Sequence, residues 1–127
     1  MSNTYQKRKA SKEYGLYNKC KKLNDDELFR LLDDRNSLKR ISSARVLQLR
    51  GGQDAVRLAI EFCSDKNYIR RDIGAFILWQ IKICKKCEDN VFNILNNMAL
   101  NDKSACVRAT AIESTARERS SEVHFLY

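Results

Sequence analysis

Apolar residues along this chain recur at three- and four-residue spacing, the period of one helical face, in stretches parted by short polar turns. Leu16, Tyr17, Cys20 and Leu23 predict a helix over about 11 to 23, preceded by a solvated, frayed segment over 1 to 10. Asn24, with Glu27 three residues on, is a capping-box pattern. It opens a helix over about 25 to 33 through Leu28, Phe29, Leu31 and Leu32. The next runs over about 37 to 50 and ends at Gly51 and Gly52, because glycine tolerates the left-handed conformation past a helix terminus. Helices over about 53 to 64 and 68 to 83 follow, the second being the most apolar segment. Val91, Phe92, Ile94, Leu95, Met98 and Leu100 mark another, and about 104 to 117 the last.

The polar turns repeat as well. An Asp followed six positions later by an Arg occurs at Asp34 and Arg40, at Asp65 and Arg71, and at Asp102 and Arg108, with 31 and then 37 residues between successive Asp residues. Three residues after each Arg stands a small side chain, Ser43, Gly74 or Ala111, and the position after that holds Ala44, Ala75 or Ile112. Each unit therefore reads as helix, Asp-bearing turn, helix, with small residues letting the second helix pack closely. Helix pairs that cannot bury their faces alone stack to do so. The expected organisation is a single domain over 1–127: a basic cap (1–24), repeat 1 (25–52), repeat 2 (53–87), repeat 3 (88–118) and a tail (119–127).

An Asp at a helix start can accept from free backbone amides and sits well in the helix dipole. An Arg in the first part of the following helix can hold a carboxylate with two parallel bonds. Three carboxylates at fixed register read as structure rather than as catalytic groups.

These turns resemble those of HEAT repeats, across about residues 25 to 118. More closely, the stretches 23–34, 63–78 and 101–116 resemble the bacterial HEAT-repeat proteins associated with Rhs polymorphic-toxin elements, which are regarded as immunity proteins. The resemblance implies an all-α, right-handed α-solenoid of about three helix pairs with an amino-terminal capping helix. It also implies that Asp34, Arg40, Asp65, Arg71, Asp102 and Arg108 form a ladder between adjacent repeats. The implied partner is the toxin domain of an Rhs effector, and the implied role is non-enzymatic. Two departures stand out: Trp79 lies where such repeats usually carry Gly, and the sequence stops at Tyr127 where those proteins continue, as a truncated form would.

Second helices of HEAT stacks line the concave face, which puts the positions one, five and eight after each Arg there. They are Ile41, Arg45 and Gln48; Asp72, Phe76 and Trp79; and Ala109, Glu113 and Ala116. The partner-binding candidates among them are Arg45, Gln48, Asp72, Phe76, Trp79 and Glu113. Phe76 and Trp79 share a helical face and suit an aromatic anchor, although core packing is the alternative for both.

Charge narrows the functional classes. The net charge is +8, yet residues 1–24 hold seven basic groups against one acid, and the remainder carries 17 basic and 15 acidic groups. The repeats are thus close to neutral, and nucleic acid, which calls for cations along a face, is not the expected partner. The competing nucleic-acid reading is a form like the HEAT-like DNA glycosylases, in which Asp72 and Trp79, two turns apart, would converge on an extruded base. A third reading is the front end of a longer repeat array. With no proline, four glycines and no run near 18 apolar residues, the chain reads as helical, cytoplasmic and free of membrane spans.

Five cysteines without an export signal read as reduced thiols, with Cys63 and Cys106 expected as buried hydrophobes. Cys84 and Cys87, placed in the linker before repeat 3, lack a second pair or a nearby His for zinc, and His124 reads as a tail residue. No Ser-His-Asp set, glycine-rich phosphate loop or metal cluster is present, so neither enzyme activity nor a cofactor is expected. At the end of the stack, Ser114 and Thr115 replace aliphatics, as a polar outer face would. Val107, Ala111 and Ile112 then need cover, from the tail through Val123, Phe125 and Leu126 or from a second copy in a homodimer.

Overall fold

The computed structural model describes residues 2–78 and 85–126, with side-chain surroundings for 7–8, 11–78 and 89–115. Seven helices occur among them and no strand: α1 (Ser2–Cys20), α2 (Asp25–Leu31), α3 (Ser37–Arg50), α4 (Gln53–Cys63), α5 (Tyr68–Leu78), α6 (Lys85–Asn101) and α7 (Ala105–Leu126). The chain divides into two compact units, Met1–Leu47 and Gln48–Tyr127.

In the first unit, α1 begins at Ser2, so the segment expected to fray is helical. Residues 6–13 are mostly strong helix formers, and no glycine or proline interrupts the helix before Gly15. The helix ends earlier than its apolar period suggested, in a tight turn with Lys22 bonded to the Lys19 carbonyl (3.2 Å) and Leu23 to that of Cys20 (3.0 Å). Asn24 then caps α2, its Oδ1 accepting from the Glu27 amide at 2.9 Å, and Asp25, Asp26 and Glu27 occupy the positive first turn. Three successive bonds spanning three residues, at Leu32, Asp33 and Asp34, tighten the exit from α2 and shorten it to Leu31. Cys20, Leu28, Leu32, Ala44, Val46 and Leu47 are buried, as are the small hydroxyls of Ser42 and Ser43.

The second unit is two helical hairpins, α4 with α5 and α6 with α7, in contact through α5 against α7 and α4 against α6. Two glycines with positive φ, Gly51 (69°) and Gly52 (101°), turn the chain into α4. The α4–α5 contact is closest at Gly74. A methyl group there would lie 2.7 Å from the Ala59 carbonyl oxygen and 3.0 Å from both the amide nitrogen and Sγ of Cys63. Phe62, Ile73, Ile77, Leu78, Val91, Leu95 and Met98 fill the core around this contact. Lys85 to Cys87 belong to α6 rather than to a linker, whereas Cys84 lies outside the described residues.

Several expectations for the last hairpin change. The helix does not stop near Arg117 but continues to Leu126. Val107 and Ala111 are fully buried rather than awaiting cover, because they face inward across the α6–α7 hairpin and α5; Ile112 is 53 % exposed. Ser114 is buried too, since it holds the helical position occupied by Val46 in α3 and Ile77 in α5. Its hydroxyl lies 3.3 Å from the Ala75 carbonyl and 2.9 Å from that of Thr110. Cys63 is buried as expected, but Cys106 is exposed, one position before the inward-facing Val107. The side chains of Val123, His124, Phe125 and Leu126 lie outside the described residues.

Candidate functional site

The three Asp turns have one construction. Each carboxylate accepts from the amide two residues on: Asp34 from Asn36 (2.8 Å), Asp65 from Asn67 (2.8 Å) and Asp102 from Ser104 (2.9 Å). That second residue is the cap of the next helix. Asn36 accepts from Leu38 (2.9 Å), Asn67 from Ile69 (2.9 Å), and the Ser104 hydroxyl from Val107 (3.4 Å). The capping role of Asn36, Asn67 and Ser104 was not read from the sequence, although a cap-forming residue two places after every Asp was its signal. The Arg six positions on closes each turn by donating Nη1 to the carbonyl of the Asp itself, at 2.7 Å for Arg40, 3.1 Å for Arg71 and 2.7 Å for Arg108.

Arg71 does more. Its Nη1 donates to the Lys66 carbonyl (2.9 Å), as Arg40 Nη1 does to that of Arg35 (3.0 Å), but its Nε and Nη2 also reach across to Asp102 in the next turn, at 3.0 Å and 3.1 Å. The pair is well shielded, with Arg71 16 % and Asp102 7 % exposed. Burial by itself would raise the Asp102 carboxyl. The Arg71 fork, the Ser104 amide and the charges of Arg71 and Arg108 outweigh it and hold the group below the usual carboxylate range. Asp65 is also held low, first by the Asn67 amide and then by Arg70, whose Nη1 lies 3.1 Å away and whose guanidinium covers the Phe62 ring at 4.9 Å. Cys63, behind this region, is pushed up to about 12 by burial and secondarily by the Asp102 charge, so it stays a thiol at neutral pH.

The residues expected on a binding face are distributed unevenly. Arg45 and Ile41 are exposed on α3 in the first unit. Gln48, on the last turn of α3, is not available: it is buried, and its amide donates to the Phe76 carbonyl at 2.7 Å. Its position eight after Arg40 suggested exposure, but a carboxamide is readily buried once a backbone acceptor is supplied. In the second unit, Phe76 is half-buried and Glu113 exposed, at matching positions of the neighbouring helices α5 and α7. Asp72 is half-buried and accepts from the Thr110 hydroxyl, which also lies 3.1 Å from the Cys106 carbonyl. Burial raises the Asp72 carboxyl, and the Thr110 bond opposes that only in part. Trp79, the proposed partner of Asp72 on a base, lies outside the described residues, as does the side chain of Ala116.

Between the second and third Asp turns an open cleft of about 540 Å³ has the Arg71–Asp102 pair, Met98 and Cys63 along its floor and Lys66, Asn97, Asn101 and Lys103 at its rim. Among the described residues no helix is long and apolar enough to cross a membrane, and no group of three His, Cys, Asp or Glu residues could hold a metal.

No family model matches the chain. Over 117 residues, 92 % of its length, it is 97 % identical to the protein YibA of Escherichia coli strain K12, and it is equally similar to YibA of Escherichia coli O157:H7. It spans less than half of those relatives, 42 % of each. An X-ray structure of the Escherichia coli YibA protein superposes with a TM-score of 0.81 at 97 % identity, covering 83 % of this chain and 38 % of that one.

Proposed function

We propose that the chain is a non-enzymatic protein-binding scaffold, a right-handed α-solenoid of HEAT-like helix pairs that acts in the cytoplasm as an immunity protein by occluding the toxin domain of an Rhs-type effector. The observation that carries this reading is the Arg71 guanidinium, which closes its own turn and holds the Asp102 carboxylate of the next pair. A shielded link of this kind keeps second helices in fixed register. A face fixed before binding loses less conformational freedom when a partner docks. The candidates for such a face are half-buried Phe76 and exposed Glu113 in one unit and, separately, exposed Arg45 on α3 in the other. The toxin partner comes from the resemblance of the repeated turns to immunity proteins, since fold alone does not give function.

The test is a co-purification with the toxin domain encoded beside this chain, paired with growth of cells expressing that toxin. Capture in equal amounts and restored growth are expected. A folded chain that neither captures the domain nor protects the cells overturns the immunity reading. We further propose that two copies associate through the surface carrying Leu100 and Ile112, which are 71 % and 53 % exposed.

A further inference from the structure

The cleft between the turns of α4–α5 and α6–α7 is lined by none of Arg45, Gln48, Asp72, Phe76 and Glu113, and its chemistry is one-sided. Lys66 and Lys103 stand at corresponding places, each directly after a turn Asp, and both are exposed. The acid in the floor does not offset them: Asp102 is already matched by Arg71, with both carboxylate oxygens engaged. The lysines are therefore a surplus of two positive charges over a neutralised floor. Donors accompany them. Asn101 donates its amide to Asn97 Oδ1 at 2.8 Å, which orients that pair and leaves the Asn97 NH₂ group free to donate at the rim. Arg71 uses four of its five N–H groups on Asp102 and on the carbonyls of Asp65 and Lys66, so one Nη2 proton remains.

We infer that this cleft binds a carboxylate side chain of an acidic protein segment, the Lys66 and Lys103 ammonium groups holding the charge and the Asn97 amide orienting it. The buried thioether of Met98 at the floor suits the aliphatic stem of a glutamate. A nucleic-acid backbone would instead call for cations at successive phosphates, and the other rim residues here, Ser64, Asn97 and Asn101, are uncharged. The inference deepens the protein-binding reading and rests on it only in taking the ligand to be a protein. It does not need the partner to be a toxin.

The experiment is a titration of the isotope-labelled full chain, followed by amide chemical shifts, with hexaglutamate, hexaglutamine, inorganic phosphate and a short single-stranded DNA. Hexaglutamate is expected to move the amides of Lys66, Asn97, Asn101 and Lys103, and hexaglutamine to leave them in place. The double variant K66E/K103E is expected to weaken hexaglutamate binding about tenfold or more, while K39E, on α3, leaves it unchanged. Both variants alter exposed side chains, and thermal melts by circular dichroism check that they fold. Hexaglutamate shifts that survive in K66E/K103E, or that centre on the lysines of α1, overturn the site. Equal shifts from inorganic phosphate would reduce it to a small-anion site, and stronger ones from DNA would replace the acidic segment by a phosphate backbone; either result overturns the assignment. Because the peptide is measured apart from toxin capture, loss of one leaves the other readable.

Discussion

Gly74 and Gly15 show how the same residue type can be required at one place and costly at another. A methyl group at Gly74 would press on the Ala59 carbonyl and on Cys63, so Gly74→Ala should destabilise the protein by about 1 to 3 kcal/mol, the usual range for overpacking. Nothing lies within 4 Å of the corresponding point at Gly15, inside α1, and Gly15→Ala should stabilise by about 0.5 to 1 kcal/mol through chain entropy. Urea midpoints of the two variants moving in the same direction would contradict this account. Asp72 makes a second prediction, on pH. Burial raises its carboxyl, so it is the charged form that the fold disfavours. The penalty is absent below the ordinary carboxylate value and complete once the pH exceeds the raised one. Asp72→Asn keeps an acceptor for Thr110, and it should be more stable than the parent at pH 7, with the advantage fading as the pH falls to about 4. Asp102 has the opposite sign: its lowered carboxyl supports the fold above the ordinary value, and that support is lost as acid carries the pH down through the lowered one. Paired acid titrations of the parent and Asp72→Asn, followed by denaturant midpoint, separate the two; a gap independent of pH would refute the burial argument.

Helix limits were legible where the residues themselves punctuate the chain. The limits of α3 coincide with those read from sequence, because the Asp34 and Asn36 turn starts it and Gly51 and Gly52 stop it. The outer limits of α1 and α7 were missed for a common reason. Apolar period fades in both segments, but no breaker residue follows, so the backbone continues on propensity and local hydrogen bonds. The link between the hairpins of the second unit gives the prediction at this scale. Arg71→Ala leaves the shielded Asp102 carboxylate without its fork and should cost roughly 1.5 to 3 kcal/mol, whereas Arg45→Ala, at an exposed position, should cost under about 1 kcal/mol. Equal urea midpoints for the two variants would remove the role given to Arg71.

Across the whole molecule, the positions read least well are those whose surroundings are set by another part of the chain. Gln48 is polar and was read as exposed, yet the Phe76 carbonyl, far away in sequence, makes its burial tolerable. The cleft between the Asp turns was not read at all, because no local pattern brings Lys66 beside Lys103. Repetition does identify one surface by contrast. The position two before the turn Asp is buried as Leu32 and Cys63 but exposed as Leu100, and the position four after the Arg is buried as Ala44 and Ala75 but exposed as Ile112. Apolar side chains of this size favour contact over water, so the parent should self-associate and the double variant Leu100→Lys/Ile112→Lys should not. Light scattering across a dilution series reads this directly: a parent that stays monomeric at high micromolar concentration would refute the dimer.

The division of labour within the Arg71 side chain bears on the order in which the chain can acquire structure during synthesis. One nitrogen serves carbonyls six and five residues earlier, so those bonds can form as soon as α5 has left the ribosome. The opposite edge serves a carboxylate made 31 residues later, and by then it is already aimed. The α4–α5 hairpin can thus settle before its successor exists and present a finished socket to it. Growth by addition at the trailing end follows from the placement of a single guanidinium.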